Sequence, residues 1–269
     1  MKKTVLVLIT FALVIAVAGS GFWLVHYFID SREQKETYET LAEKFVLEST
    51  PSVRPESSSS LDSSVNAGEN DVSSPVESPD TPPRHDLAAL ATENADCVGW
   101  LTIPDTGIDY PVMHKPNDPE HYLRRDFYGE PASGGTPFLD GRNLAEAENQ
   151  NLILYGHNMM DGSMFKPLIS YLEPSFRETH KEIYLELSEK QYRYEVFAVV
   201  ETNTQCSLYQ YTDLSDPATE SDFRAAILKE TDLDGIHQAP GYLTLSTCNN
   251  GGGDSRVLVI ASLVGEVSQ

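Results

Sequence analysis

Residues 242–260 restrict the fold more than any other stretch of this chain. Tyr242-Leu243-Thr244-Leu245-Ser246-Thr247-Cys248 alternates apolar and β-branched side chains, the period of a half-buried strand. Asn249-Asn250-Gly251-Gly252-Gly253-Asp254-Ser255 follows, a run that no regular element tolerates and that therefore reads as a turn. Arg256-Val257-Leu258-Val259-Ile260 reads as the returning strand. A thiol thus ends one strand and a guanidinium begins the next, where both can face one carbonyl. A buried cysteine and a surface arginine in an ordinary β-core give the same pattern, so the rest of the chain has to decide.

Upstream, the signals are again short and mostly β. Val98–Ile103 and Ile108–Met113 read as strands around a Pro104-Asp105-Thr106-Gly107 turn, with Pro111 suggesting an edge position. Thr136–Asp140 and Asn151–Tyr155 follow, then Glu182–Leu187 and Gln191–Val200, joined through Ser188-Glu189-Lys190. Helical signals are Asp86–Asn94, a turn or two over Met164–Tyr171, and an amphipathic helix over Thr219–Leu228 capped by Thr219 or Ser221. About eight short strands with few helices predict a mainly β barrel or sandwich.

The N-terminal third is of another kind. Lys2 and Lys3 precede an uncharged run of 22 residues, Thr4 to Val25. As a helix it would extend roughly 33 Å, enough to cross a bilayer core of about 30 Å. Trp23 and Tyr27 fall at the interface, and the lysines favour a cytoplasmic N-terminus with the remainder outside. The expectation is a single-pass anchor within residues 1–30. A cleaved signal peptide, cut near Ala16-Val17-Ala18, is the alternative, and either one exports the rest. Arg32 to Glu48 reads as a charged helical stalk. Ser49 to Pro83 holds 11 Ser and 6 Pro in 35 residues and no aromatic, so it is expected to stay disordered as a tether. The expected division is therefore anchor 1–30, stalk and linker 31–84, folded domain 85–269. The net charge of −22 argues against a nucleic-acid partner.

A cysteine nucleophile needs a base and a charge that holds the attacked oxygen. Histidine is the usual base. Of the seven histidines only His157 directly follows an apolar strand, in Tyr155-Gly156-His157-Asn158, where Gly156 permits a sharp turn. A strand-end histidine can equally be structural; His121 and His180 are the next candidates. Cys97 and Cys206 read as small buried hydrophobes, with a disulfide between them as the alternative. Asp213, Asp216 and Glu220 read as a solvated loop rather than a calcium site. No metal and no cofactor is expected.

Thr244-Leu245-Ser246-Thr247-Cys248 resembles the T-L-x-T-C motif of sortases. Arg256, eight positions on, stands where that family carries its arginine, and His157 where it carries its histidine. Asn94–Ile103, Tyr110-Pro111-Val112, Met164–Leu168, Tyr194–Ala198 and a helix before the cysteine strand are similar to class B members. The resemblance spans Leu87 to Leu263. It implies an eight-stranded sortase barrel with an N-terminal helical extension, and a membrane-anchored extracellular transpeptidase. Cys248 would attack the Thr carbonyl of a C-terminal sorting signal on a secreted protein. His157 would act as acid and base, and Arg256 would hold the oxyanion. Thr247, Ser246 and Asn158 would assist. The thioacyl-enzyme would pass its acyl group to an amine, from a peptidoglycan precursor or a pilin lysine. A secreted cysteine hydrolase with the same Cys–His pair, and a non-catalytic surface module, are the rival readings.

Overall fold

The computed structural model describes residues 2–47, 81–249 and 253–267. Eight strands are present: β1 (Cys97–Ile103), β2 (Ile108–Met113), β3 (Phe138–Leu139), β4 (Asn151–Tyr155), β5 (Glu182–Leu187), β6 (Lys190–Asn203), β7 (Tyr242–Cys248) and β8 (Ser255–Glu266). They close into a barrel in the order β1-β2-β3-β4-β7-β8-β6-β5. Each expected strand is found, and a closed barrel replaces the sandwich alternative. The β5–β6 turn is tight, with Ser188 and Glu189 both at positive φ, as in a two-residue hairpin loop. β3 meets β2 only at Met113↔Phe138, so Pro111 lies where β2 has one strand partner and its missing N–H costs no ladder bond.

Alternation along β7 and β8 divides the core in two. Leu243, Leu245, Val259 and Ala261 pack in one cluster with Leu101 and Leu185, which pair across β1 and β5. Their neighbours Tyr242, Leu258 and Ile260 point outward into a second cluster with Phe223 and Ile227. Those two come from α4 (Pro217–Glu230), which covers this face of the sheet. α4 begins earlier than its periodicity suggests: Asp216 is the N-cap, accepting from the Thr219 N–H, and Pro217 occupies the first turn. The cap is therefore neither Thr219 nor Ser221.

The larger departure is at the N-terminus. Helix α1 runs unbroken from Lys2 to Phe45. Residues 10–25 are exposed and apolar, as a bilayer span requires. Residues 31–45, expected to be a free stalk, instead pack on the barrel. Tyr38, Leu41 and Phe45 join the barrel core, and the Tyr38 ring meets Tyr110 of β2 edge-on at 5.3 Å. The buried positions 31, 34, 38, 41 and 45 recur at 3–4-residue spacing, one face of a helix. The chain then returns beside itself. Val46 bridges His85, the Leu47 N–H donates to Arg84 O at 2.7 Å, and the Asp86 N–H donates to Phe45 O at 2.7 Å. α2 (Leu87–Glu93) follows, tied to α1 by a Lys44–Glu93 ion pair. So the folded unit begins within α1, not at residue 85. The serine- and proline-rich linker falls almost wholly in 48–80, outside the described residues.

Candidate active site

β4 and β7 are parallel neighbours in register, Tyr155 opposite Ser246. The pairing continues past the end of β4. The Gly156 N–H donates to Ser246 O at 3.2 Å, and the Thr247 hydroxyl donates to Gly156 O at 2.9 Å. The Asn158 amide donates to Cys248 O at 2.8 Å. These bonds carry the segment that holds His157 along the end of β7, so His157 and Cys248 reach the same end of the sheet. On the other side, Cys248 and Arg256 are direct partners across the antiparallel β7–β8 pair. A cleft of about 620 Å³ opens over all three, lined by His157, Cys248 and Arg256 together with Leu123, Tyr155 and Tyr209.

Gly156 is needed for a different reason from the one its sequence context suggests. Its φ is not positive. A Cβ there would lie 2.5 Å from the Phe165 ring, so the residue must be small for the loop to pack. The imidazole of His157 is half-buried, and its Nε2 lies 2.8 Å from Leu123 O. A carbonyl only accepts, so this assigns the neutral ring as the Nε2–H tautomer and leaves Nδ1 as the base. Burial pushes the His157 pKa below its usual value. The Leu123 bond works the other way, and the nearby Arg124 charge adds to the depression.

Arg256 uses Nη1 alone, donating to Gly253 O at 3.3 Å and Ser255 O at 2.9 Å. Its Nε–H and Nη2–H groups have no protein partner among the described residues, and they are the donors available to a substrate oxygen. The auxiliary residues are largely occupied. Thr247 is buried and committed to Gly156, so it holds the histidine strand rather than pointing a free donor at substrate. Ser246 shares a 2.8 Å bond with the Tyr209 hydroxyl, and Asn158 is tied to the Cys248 carbonyl. His121 pairs with Asp118 and His180 stacks on Phe176, and neither lines the cleft. Cys97 and Cys206 are buried and unbonded to each other; burial pushes the Cys97 thiol up to about 12. Asp213 accepts from Ser215, Asp216 caps α4 and Glu220 pairs with Arg224.

One group escaped sequence reasoning. Asp140, just beyond β3, receives two bonds of 2.8 Å from the Arg142 guanidinium and one of 2.9 Å from the Tyr155 hydroxyl. Burial raises its pKa, but these donors outweigh it, and the carboxyl ends below its usual range. Arg142 also donates to Tyr209 O at 2.7 Å, and the Tyr155 and Tyr209 rings stack at 6.1 Å. The cleft that Cys248 lines thus also holds a fixed ion pair and two aromatic rings. Only Asp140-Gly141-Arg142 hints at it in sequence; Tyr209 sits in a short 3-10 turn with no pattern to announce it.

A sortase domain model matches residues 101–264. The chain belongs to the sortase family. Sortase B of Listeria monocytogenes is 37% identical over 169 residues, covering 62% of this chain and 68% of that one. Among solved structures, this sortase resembles sortase B from B. anthracis in complex with AAEK1, with a TM-score of 0.65, 28% identity, and coverage of 88% of this chain and 99% of that one. It also resembles a Staphylococcus aureus sortase B–substrate complex, with a TM-score of 0.60, 30% identity, and coverage of 68% and 85%. This sortase is class B-like, its barrel is the sortase barrel, and it is a cysteine transpeptidase.

Proposed function

We propose that this transpeptidase cuts a C-terminal sorting signal with Cys248, His157 and Arg256. His157 Nδ1 takes the Cys248 thiol proton as the sulfur attacks the Thr carbonyl carbon, and the oxyanion is held by the N–H groups of Arg256 that the turn leaves open. The imidazolium of His157 gives its proton to the leaving amine, the C–N bond breaks and a thioester remains. The neutral imidazole then accepts a proton from an incoming amine as that amine attacks, and the sulfur leaves. The acceptor amine belongs to a peptidoglycan precursor or a pilin lysine. The single observation that supports this reading is the cleft that all three side chains line. Residues 4–25 are the membrane span, with Lys2 and Lys3 inside and the catalytic unit, residues 31–47 with 81–267, outside.

The test incubates the full chain in detergent micelles with peptides carrying N-P-x-T or L-P-x-T-G signals, with and without a panel of amines. A new amide, read by mass, is expected in the presence of amine. Hydrolysis products alone, unchanged by any amine in the panel, would instead favour the hydrolase reading. In the same assay Arg256→Lys is expected to cost about 10²-fold in kcat. An ammonium keeps the charge but loses the planar fork that serves the oxyanion while Nη1 stays bound to the turn. Activity within about twofold of the parent would remove Arg256 from the mechanism.

A further inference from the structure

Two loops meet at His157. One carries it, running from Gly156 to Phe165. The other side is the 3-10 turn His121–Arg124, which supplies the Leu123 carbonyl to the imidazole. Neither loop is held by the barrel alone. In the first, the Met160 N–H donates to the Tyr27 hydroxyl at 3.1 Å, and Asp161 accepts from the Ser31 hydroxyl. Asp161 also accepts from Ser163 at 2.7 Å, so it ties the loop to itself and to α1 together. The second is held through residues 133–136. The Asp30 carboxylate accepts from Ser133. Gln34 accepts from the Gly134 N–H at 3.2 Å and donates to Gly135 O at 2.6 Å. Gly135, at φ +59, packs so closely on this turn that a Cβ would lie 2.5 Å from Leu123 O. The Thr136 N–H then donates to Tyr122 O at 3.0 Å.

Tyr27, Ser31 and Gln34 are spaced by four and three residues, so they share one helix face. That face continues directly from the apolar span. We propose that the juxtamembrane part of α1 is a positioning element for His157, with Tyr27, Ser31 and Gln34 clamping the two loops that fix the imidazole. These residues touch neither the sulfur nor the substrate carbonyl. They set where Nδ1 sits and how much water reaches the ring. The inference rests on His157 being the acid and base of acyl transfer.

The charged and titratable groups facing the imidazole are spread over several elements. α1 supplies His26 and Asp30, across a second cavity of about 550 Å³ that His157 also lines. The 3-10 turn brings Arg124, and the cleft side holds Cys248, Arg256 and the paired Asp140–Arg142. The clamping residues are neutral, so replacing them changes ring solvation without changing charge.

The experiment compares the full parent chain in detergent micelles with the double variant Ser31→Ala/Gln34→Ala, and with Ser31→Thr, which keeps a hydroxyl. The double variant is expected to lose about tenfold in kcat, the scale of a small misplacement of a catalytic group, with KM changed by less than about twofold. Its pH–rate limb set by the imidazole should move up toward the ordinary value of about 6.5 as water reaches the ring. Ser31→Thr should stay near the parent. Tyr27→Phe, which keeps the ring, should shift the limb in the same direction and serves if the double variant does not fold. A parent that forms no thioacyl adduct sinks the transpeptidase reading and this inference with it. A parent that transfers, with variants that keep its kcat and its limb, sinks this inference alone. So does a kcat loss that follows melting temperature with no movement of the limb.

Discussion

Replacing Cys248 with alanine is expected to abolish acyl transfer, with kcat/KM falling on the order of 10⁴-fold or more, while the barrel stays folded. The side chain is half-buried at the end of β7, where its backbone pairing with Arg256 needs no sulfur. No other thiol stands in for it. Cys97 lies buried in β1 with its pKa raised to about 12, and Cys206 belongs to the core beneath α4. The check is twofold. Intact mass after exposure to a signal peptide should show a thioacyl adduct on the parent and none on the variant, and near-UV circular dichroism should be unchanged. Turnover that survives in a folded variant would remove the sulfur from the mechanism.

His157→Gln is expected to cost about 10²- to 10⁴-fold in transfer, the usual worth of a positioned acid–base group. Glutamine keeps an N–H that can reach Leu123 O, so loop geometry is disturbed less than by alanine. The parent should also show a distinctive pH response. Burial holds the His157 pKa below its ordinary value of about 6.5, so its limb in the rate profile lies below that pH. The sign for stability follows from the same shift. Between the folded pKa and about 6.5 the unfolded chain binds more protons, so stability falls as pH drops through this window and levels off below the folded pKa. The melting-temperature difference between pH 7.5 and pH 5.5 should shrink in His157→Gln. It should not vanish, because burial depresses His114 in the same direction. An unaltered difference would show that the imidazole is already solvated in the fold.

The barrel was legible because apolar, β-branched and aromatic runs mark each long strand, and because β7, its turn and β8 follow one another directly in sequence. β3 was overextended: only Phe138 and Leu139 pair, and its other residues belong to loops whose polarity pattern is the same. The cysteine, histidine and arginine could be ordered from sequence, since each stands at a strand end or start. Their support could not. Tyr209, Arg142 and Leu123 act from turns, and Leu123 acts through its carbonyl, which no side-chain pattern records. The misreading of residues 32–48 has a clear cause. Charges at 32, 33, 35, 36 and 39 dominate that stretch, while its inward face opens on Ser31 and Gln34 before it turns apolar at Tyr38. A face that is half polar hides from a search for apolar stripes.

The meeting of Val46 with His85 closes α1 onto the barrel, and with the apolar helix placed in a bilayer as proposed it would set how far from the lipid the protein works. Leu47 and Arg84 meet at that point, so the route from the apolar span to the barrel runs through α1. The helix from Val25 to Ser31 makes up that path, six helical steps and a rise of about 9 Å. On that proposal the sulfur would be mounted at a set height over the lipid and not swung on a leash, and proteins awaiting attachment would have to be delivered to it.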